Sequence, residues 1–257
     1  MTFLRSLVLA FSSFSSIPMP QIEWREDNMK YLMCCFPFVG LAIALALALW
    51  TWLAGTLSFG PVLFGAGIAL VPVAVTGGIH LDGFCDVVDA QSSHAEPQRK
   101  REILKDPHAG AFAAIGMAVY LIAYAALASE LAPHWQIVVL LGGMHVASRC
   151  MSSIATLAFP TSASKGMLSM FHESGEGKVV LAIVLVELVA CAVVMVLVDP
   201  LLGGVMLAVG LACLALLYPF AKTQFCGMSG DLAGFFLQVA ELCMVAALVI
   251  TIKVVAL

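Results

Sequence analysis

The chain has 257 residues, of which 62% are hydrophobic and 11% are charged, and its mean hydropathy is +1.04. A soluble domain of this length could not bury so much apolar surface, so the composition excludes a soluble fold and predicts an integral membrane protein. The net charge is −4, without the basic footprint of nucleic-acid-binding proteins, and we therefore expect no nucleic-acid partner.

A helix that crosses a membrane needs about 20 largely apolar residues. The first apolar run, residues 3–17, is short and rich in serine, so it is either a short span or a helix along the membrane surface. Seven longer runs follow, at residues 32–57, 60–79, 109–131, 135–158, 179–198, 201–220 and 233–252. We predict an all-α, polytopic integral membrane helix bundle of seven or eight transmembrane helices, forming one domain over residues 1–257.

The connecting loops fall into two classes that predict the orientation of the bundle. Three loops are short and lack Lys and Arg, at residues 55–60, 131–135 and 198–201. Four are longer, polar and contain Lys or Arg, at residues 18–30, 80–108, 159–178 and 221–232. Because cytoplasmic loops accumulate Lys and Arg, we expect the four longer loops to face the cytoplasm.

The most informative segment is T-G-G-I-H-L-D-G-F-C-D-V-V-D, at residues 76–89. On a helix, Asp82, Asp86 and Asp89 lie within an arc of about 60°, where like charges repel each other. A divalent cation relieves this repulsion, and oxygen ligands suit Mg²⁺ or Mn²⁺. The alternative is an acidic helix end solvated at the membrane surface. His80 falls on the opposite side of this helix and is expected to form a hydrogen bond or contact substrate.

A second polar cluster lies within the predicted span 135–158. Four of its residues share one helical face: His145, Ser148, Arg149 and Ser152. An arginine inside a membrane is costly and usually marks a ligand path, and its planar guanidinium suits phosphate oxygens. We therefore predict that Arg149 binds phosphate. The alternative is a structural ion pair with Glu187 or Glu241.

A third cluster, C-G-M-S-G-D-L-A-G at residues 226–234, directly precedes the last span. Asp231 could cap that helix. However, four residues share one face of it within about 80°, which a cap alone does not explain: Asp231, Gly234, Gln238 and Glu241. Nearly every ionisable residue within the predicted spans falls in the cytoplasmic half of its helix. A transporter places its binding residues near the midplane, so the pattern favours an enzyme supplied from the cytoplasm.

The string G-G-x-H-L-D-G-x-x-D-x-x-D at residues 77–89 resembles the signature of the cobalamin synthases, the adenosylcobinamide-GDP ribazoletransferase family. Weaker matches follow the family order at residues 36–40, 103–110, 148–149 and 227–234. The D-S-R usual in the family reads D-P-H here, at residues 106–108. The resemblance implies an enzyme of the prokaryotic cytoplasmic (inner) membrane. It would join α-ribazole or its 5′-phosphate to adenosylcobinamide-GDP and release GMP, with Mg²⁺ required.

The resemblance also implies roles for particular residues. The metal ligands would be Asp82, Asp86, Asp89 and Asp231. The same aspartates and His80 would be catalytic. Substrate contacts would come from Arg149, Lys105, Asp106, Gly78, Gly230, Ser229 and Glu241. The expected partners are the two substrates and membrane lipid, and self-association is left open.

Three other functions remain alternatives at the level of sequence. A CDP-alcohol phosphotransferase would carry D-x-x-D-G-x-x-A-R, but no Ala-Arg follows Asp82-Gly83 in the required place. A prenyltransferase of the UbiA type would need a second aspartate-rich motif, and Asp231 has no DxxxD partner. A transporter for a small solute is the third alternative.

Overall fold

The computed structural model describes residues 2–106, 108–161 and 177–256, so Pro107 and most of the predicted loop 159–178 lie outside the described residues. The described chain is helical, which confirms the predicted all-α class. Its helices are α1 (Thr2–Phe14), α2 (Glu26–Met29), α3 (Leu32–Thr56), α4 (Pro61–Thr76), α5 (Ile79–Ser92), α6 (Pro97–Ile103), α7 (Ala111–Ser129), α8 (Trp135–Ala158), α9 (Gly177–Val198), α10 (Pro200–Phe225) and α11 (Gly230–Val255).

The predicted membrane bundle is also confirmed. Among the described helices, six are long and apolar enough to cross a membrane: α3, α7, α8, α9, α10 and α11. Helices α4 and α5 are bent by 99° relative to each other and make a seventh span if the pair acts as one. Helix α1 has 13 residues, fewer than a perpendicular span requires.

The bend between α4 and α5 arises at two consecutive glycines. Gly77 and Gly78 both adopt left-handed backbone conformations, with φ of 65° and 80°, which side chains with a Cβ strongly disfavour. Helix α4 therefore ends at Thr76, three residues before the predicted end of the span. The acidic motif consequently lies on a separate helix, α5, set at a steep angle to α4.

Helices α8 and α11 form the centre of the bundle, whereas α7, α9 and α10 form much of its outside. Buried methionines and leucines from the two central helices pack together, including Leu140, Met144, Met151, Met244 and Leu248. The outer helices expose large apolar side chains such as Val119, Ile122, Val186, Leu197 and Leu216. Exposed apolar surface of this extent is expected where lipid replaces water as the solvent.

The polar connections meet at one end of the bundle. The Ser16 N–H donates to the Val75 carbonyl at 2.8 Å, and the Met228 N–H donates to the Pro160 carbonyl at 2.8 Å. At the opposite end, Lys253 pairs with Glu130 at 2.7 Å. The division of the loops into two classes therefore corresponds to two ends of the molecule.

Lys100 has a structural role that the sequence did not indicate. Its side chain is buried, and its Nζ donates to Gln91 Oε1 at 2.9 Å and to Gln224 Oε1 at 2.7 Å. These bonds join α6 to the end of α5 and to α10. Lys100 thus holds the polar end of the bundle together, besides adding to the positive charge of its loop.

Helices α5 and α11 approach closely because glycines line their contact. A Cβ on Gly83 would lie 3.0 Å from the Asp231 backbone, and a Cβ on Gly234 would lie 2.9 Å from the His80 carbonyl oxygen. Both distances are shorter than ordinary contacts. The two glycines therefore bring the acidic motif of α5 against the first turn of α11.

The Gly234→Ala variant is expected to be less stable by about 1–3 kcal/mol, because the added methyl group forces α5 away from α11. Thermal unfolding in detergent micelles measures this loss. Gly204→Ala is the matched control, since a Cβ there meets no atom within 4 Å, and alanine favours a helix. Equal unfolding temperatures for the two variants would contradict the close packing of α5 on α11.

Candidate functional site

A cavity of about 380 Å³ opens between α1, α3, α5, α8 and α11. Four of the residues predicted to be catalytic, metal-binding or substrate-binding line it: His80, Asp82, Gly230 and Asp231. Ser152 and Thr156 of α8 add two hydroxyl groups to its wall. The volume is within the range of small-molecule sites, and the lining combines apolar side chains with a few polar groups, as such sites usually do.

Three carboxylates, Asp82, Asp86 and Asp231, converge beside this cavity, and we call them the acidic cluster. The charges of Asp82 and Asp231 both repel that of Asp86, and Asp82 also repels Asp231. Asp82 is exposed, whereas Asp86 and Asp231 are half-buried. The α5–α11 contact thus places two acidic motifs, far apart in the sequence, around one space.

Asp82 also lines a second cavity of about 460 Å³, between the α4–α5 bend and α7. Gly78, the residue before α5, lines that second cavity as well. The exposed carboxylate of Asp82 therefore stands between two spaces, each large enough for part of a substrate.

Asp89, the third aspartate of the motif, bonds to a neighbouring helix. Its two carboxylate oxygens accept the Gly110 N–H at 2.5 Å and the Ala113 N–H at 3.1 Å. These donors belong to the start of α7, where backbone N–H groups have no partner within the helix. Asp89 therefore caps α7 from outside and fixes it against α5.

Among the described residues, the acidic cluster by itself provides only part of a metal site. Within residues 2–106, 108–161 and 177–256, no three His, Cys, Asp or Glu side chains are grouped to hold one ion. Mg²⁺ commonly takes one or two protein carboxylates and completes its shell with water and substrate phosphates. The acidic cluster fits that pattern, and the predicted metal ligands remain a prediction.

His80 lines the same cavity as Asp82, although the two lie on opposite sides of an ideal helix. The difference arises because the cavity surrounds the first turn of α5, which begins at the α4–α5 bend. The His80 side chain is only 6% exposed. Its ring lies beside two phenylalanines, with centroids 5.4 Å from Phe36 and 6.1 Å from Phe14.

Arg149 forms the buried ion pair that the sequence left as the alternative to phosphate binding. Its Nη1 lies 2.6 Å from Glu241 Oε1, and both side chains are almost fully buried. Ser148 donates to the same Glu241 oxygen at 2.7 Å, and His145 Nδ1 lies 3.2 Å from Oε2. Neither Arg149 nor Glu241 lines the cavity. The Arg149 guanidinium instead lies 5.9 Å from the centroid of the ring of Phe36, and Phe36 does line the cavity.

Three other predicted substrate contacts lie away from the cavity lining. The Ser229 hydroxyl accepts the Leu232 N–H at 3.3 Å and caps α11. Lys105 and Asp106 are exposed in the connection between α6 and α7. His108 Nδ1 lies 2.7 Å from an Asp106 oxygen that also accepts the His108 backbone N–H, and these contacts lower the pKa of Asp106.

The cavity includes residues to which the sequence assigned no role. Phe36 falls within the segment 36–40 that carries the family resemblance, and Ser152 shares the helical face of Arg149. These two sequence features could have indicated that Phe36 and Ser152 lie at the site. Phe14 and Thr156 lie in apolar runs without a recognisable motif, so only the packing of α1 and α8 reveals their position.

Comparisons with known proteins agree with the resemblance. Residues 6–249 match the family model for cobalamin-5-phosphate synthase. The adenosylcobinamide-GDP ribazoletransferase of Lachnoclostridium phytofermentans is 37% identical over 250 residues, covering 97% of this chain and 95% of the relative. The protein of the same name from Clostridium botulinum is 32% identical over 242 residues, covering 93% and 94%. No solved structure matches. The chain therefore belongs to the cobalamin-5-phosphate synthase family.

Proposed function

We propose that this chain is an adenosylcobinamide-GDP ribazoletransferase, which completes cobalamin assembly. The names of its relatives supply the substrates. The observation that carries the proposal is the acidic cluster: Asp82 and Asp231 line a cavity the size of a small-molecule site, and Asp86 lies close enough to be repelled by both. The family match favours this reaction over the alcohol phosphotransfer, prenyl transfer and transport that the sequence left open.

The reaction replaces one phosphorus–oxygen bond with another. A ribose hydroxyl of ribazole, or of its 5′-phosphate, attacks the phosphorus that carries the cobinamide. The new bond forms as the bond from that phosphorus to the bridging oxygen breaks, and GMP leaves. The hydroxyl proton passes to a carboxylate, and we propose Asp82 for this role because it is exposed and lines the cavity. Asp231, on the opposite helix, orients the attacking group.

We propose that Mg²⁺ binds at the acidic cluster, held by one or two of the carboxylates of Asp82, Asp86 and Asp231. Their mutual repulsion favours a cation between them, and a diphosphate would supply further oxygen ligands. When bound, the ion neutralises the charge that develops on the departing phosphate. Asp89 is included by the motif, but its carboxylate already accepts two backbone N–H groups. Its contribution in this proposal is therefore to hold α7 against the acidic cluster.

Purified protein in proteoliposomes tests the proposal directly. With adenosylcobinamide-GDP and Mg²⁺, we expect ribazole to give adenosylcobalamin and ribazole 5′-phosphate to give adenosylcobalamin 5′-phosphate, and no product after treatment with EDTA. Restoring Mg²⁺ should restore the product. Folded protein that makes no product with either form of ribazole would overturn the proposal. Uptake of a substrate without its conversion would support transport instead.

We further propose that the chain lies in the cytoplasmic membrane with the long polar loops and the acidic cluster facing the cytoplasm. A cysteine at Gln98, an exposed position of α6, should then react with an impermeant thiol reagent only in inverted membrane vesicles. The protein without this substitution keeps all of its own cysteines, so its labelling gives the background. Labelling of Gln98→Cys from the periplasmic side of intact cells would reverse the orientation.

A further inference from the structure

The lining of the cavity includes three aromatic rings from three helices. Phe14 belongs to α1, Phe36 to α3 and His80 to α5, and we call them the aromatic box. The Phe14 and Phe36 centroids are 4.5 Å apart, and the Phe14 and His80 rings are within 22° of parallel. All three residues line the cavity that Asp82 and Asp231 also line. The cavity thus has an aromatic part and an acidic part.

His80 is the polar member of the box, and its hydrogen-bonding capacity is unused. Among the described residues, neither ring nitrogen has a hydrogen-bond partner, although the side chain is only 6% exposed. Buried polar groups without partners are rare in folded proteins. A neutral imidazole carries one N–H donor in either tautomer, so His80 can donate one hydrogen bond whichever nitrogen is protonated. Both nitrogens are covered by protein atoms, but the residue lines the cavity, so a rotation of the ring would present its N–H to a ligand there.

The position of His80 is set by the backbone and by packing rather than by polar contacts. Gly78, in a left-handed conformation, precedes α5, and Gly234 leaves room for the His80 carbonyl. The neighbouring ring of Phe36 is fixed in turn, because the Arg149 guanidinium lies 5.9 Å from its centroid. Because the three centroids are only 4.5–6.1 Å apart, the rings pack together as one wall, and a flat ligand would lie against that wall.

We infer that the aromatic box binds the heteroaromatic base of the attacking nucleoside, with the unsubstituted ring nitrogen of that base accepting the His80 N–H. The inference rests on the proposed function and identifies which part of which substrate this cavity takes. The base of ribazole is a benzimidazole, a flat bicyclic ring with one nitrogen bonded to ribose and one free. It requires one hydrogen-bond donor and otherwise apolar contacts, which the box supplies.

The other substrate fits this cavity less well on two grounds. The corrin ring of adenosylcobinamide is far larger than a nucleoside and cannot enter about 380 Å³. Guanine presents a carbonyl and several N–H groups, all of which need polar partners when they are buried. Within the aromatic box only His80 can pair with these groups, because the carboxylates and hydroxyl groups of the cavity lining lie outside the box. With the base in the box, the ribose points toward Asp82 and Asp231, where its hydroxyl must react.

The His80→Phe variant tests this inference because it keeps a flat ring and removes the N–H donor. We expect the KM for ribazole 5′-phosphate to rise roughly ten-fold, the effect of one lost hydrogen bond in a buried site. The KM for adenosylcobinamide-GDP should remain at the wild-type value. A purely structural role for His80 would not separate the two substrates in this way.

A substrate analogue completes the test. In the indole analogue of ribazole 5′-phosphate, a C–H group replaces the free ring nitrogen. Wild-type protein should prefer benzimidazole over indole by about ten-fold, and His80→Phe should lose this preference. Phe36→Leu removes one aromatic ring but keeps His80. It should raise the KM for ribazole 5′-phosphate and for its indole analogue alike, and retain the preference for benzimidazole over indole. It serves as the second variant if His80→Phe does not fold.

The outcomes separate this inference from the proposed function. Product formation with an unchanged preference in His80→Phe, or no preference in the wild type, would overturn the inference and leave the reaction standing. A rise confined to the KM for adenosylcobinamide-GDP would assign the box to guanine and also overturn it. Absence of product from folded wild-type protein would overturn the proposed function and the inference together.

Discussion

Replacing Asp82 with asparagine is expected to lower turnover by about 10²–10³-fold, the usual effect of removing one group that stabilises charge in a transition state. Asparagine keeps the size of the side chain but removes the negative charge and the ability to accept a proton. Asp82 is exposed in the cavity and has no side-chain hydrogen bond among the described residues, so thermal stability should be unchanged. Steady-state product formation and thermal unfolding of the same preparation measure the two effects.

Asp199→Asn is the matched control for this substitution. Asp199 is also a helix-terminal aspartate, and it accepts the N–H groups of Leu201 and Leu202 at the start of α10. Asparagine preserves such a cap, so both activity and stability should stay close to the wild type. Retained turnover in Asp82→Asn, or equal losses in the two variants, would remove the acidic cluster from the account of catalysis.

Loss of the arginine in the Arg149→Met variant is expected to lower the free energy of unfolding by about 3–5 kcal/mol. The substitution leaves Glu241, almost fully buried, without the charge that lies 2.6 Å from it. The Arg149→Met/Glu241→Gln double variant should recover much of this loss, because no unpaired charge remains. Reversible unfolding in micelles is measured for the wild type, Arg149→Met, Glu241→Gln and the double variant. Together the four values give the coupling energy between the two side chains.

The exposed ion pair between Lys253 and Glu130 provides the control for this cycle. Its geometry is similar, at 2.7 Å, but its side chains are 58% and 53% exposed. Exposed pairs contribute about 0–1 kcal/mol, so Lys253→Met should unfold nearly as the wild type does. If Arg149→Met kept full stability and instead raised the KM for adenosylcobinamide-GDP, the phosphate-binding role predicted from the sequence would replace the ion pair.

The bundle was predictable because its signal is local. Apolar runs of about 20 residues identify spans directly, and every predicted long run corresponds to a described helix or part of one. The α4–α5 bend was not predicted, because Gly77 and Gly78 are compatible with several backbone conformations. Only the packing of α5 against α11 and α7 selects the left-handed one.

The candidate site was predictable in its residue types more than in its arrangement. Asp82 and Asp231 were recognised from separate motifs, yet their approach depends on Gly83 and Gly234 at a helix contact. The choice of Glu241 over Glu187 as partner of Arg149 likewise depends on tertiary packing, since Glu241 is 92 residues away in the chain. Phe14 gave no sequence signal, because an apolar residue in an apolar helix is not distinctive.

In the proposed reaction, attack occurs at the diphosphate beside the acidic cluster. The site of attack determines which nucleotide is released, so the measurement to make is the identity of that nucleotide. Wild-type protein should release GMP and form the cobamide product in equal amounts. The bond that breaks joins the cobinamide-bearing phosphorus to the oxygen that bridges the two phosphorus atoms. Asp82→Asn should release neither GMP nor product at a comparable rate. Release of GDP would contradict the claim, since the carbon–oxygen cleavage of a prenyltransferase-like reaction leaves the diphosphate intact.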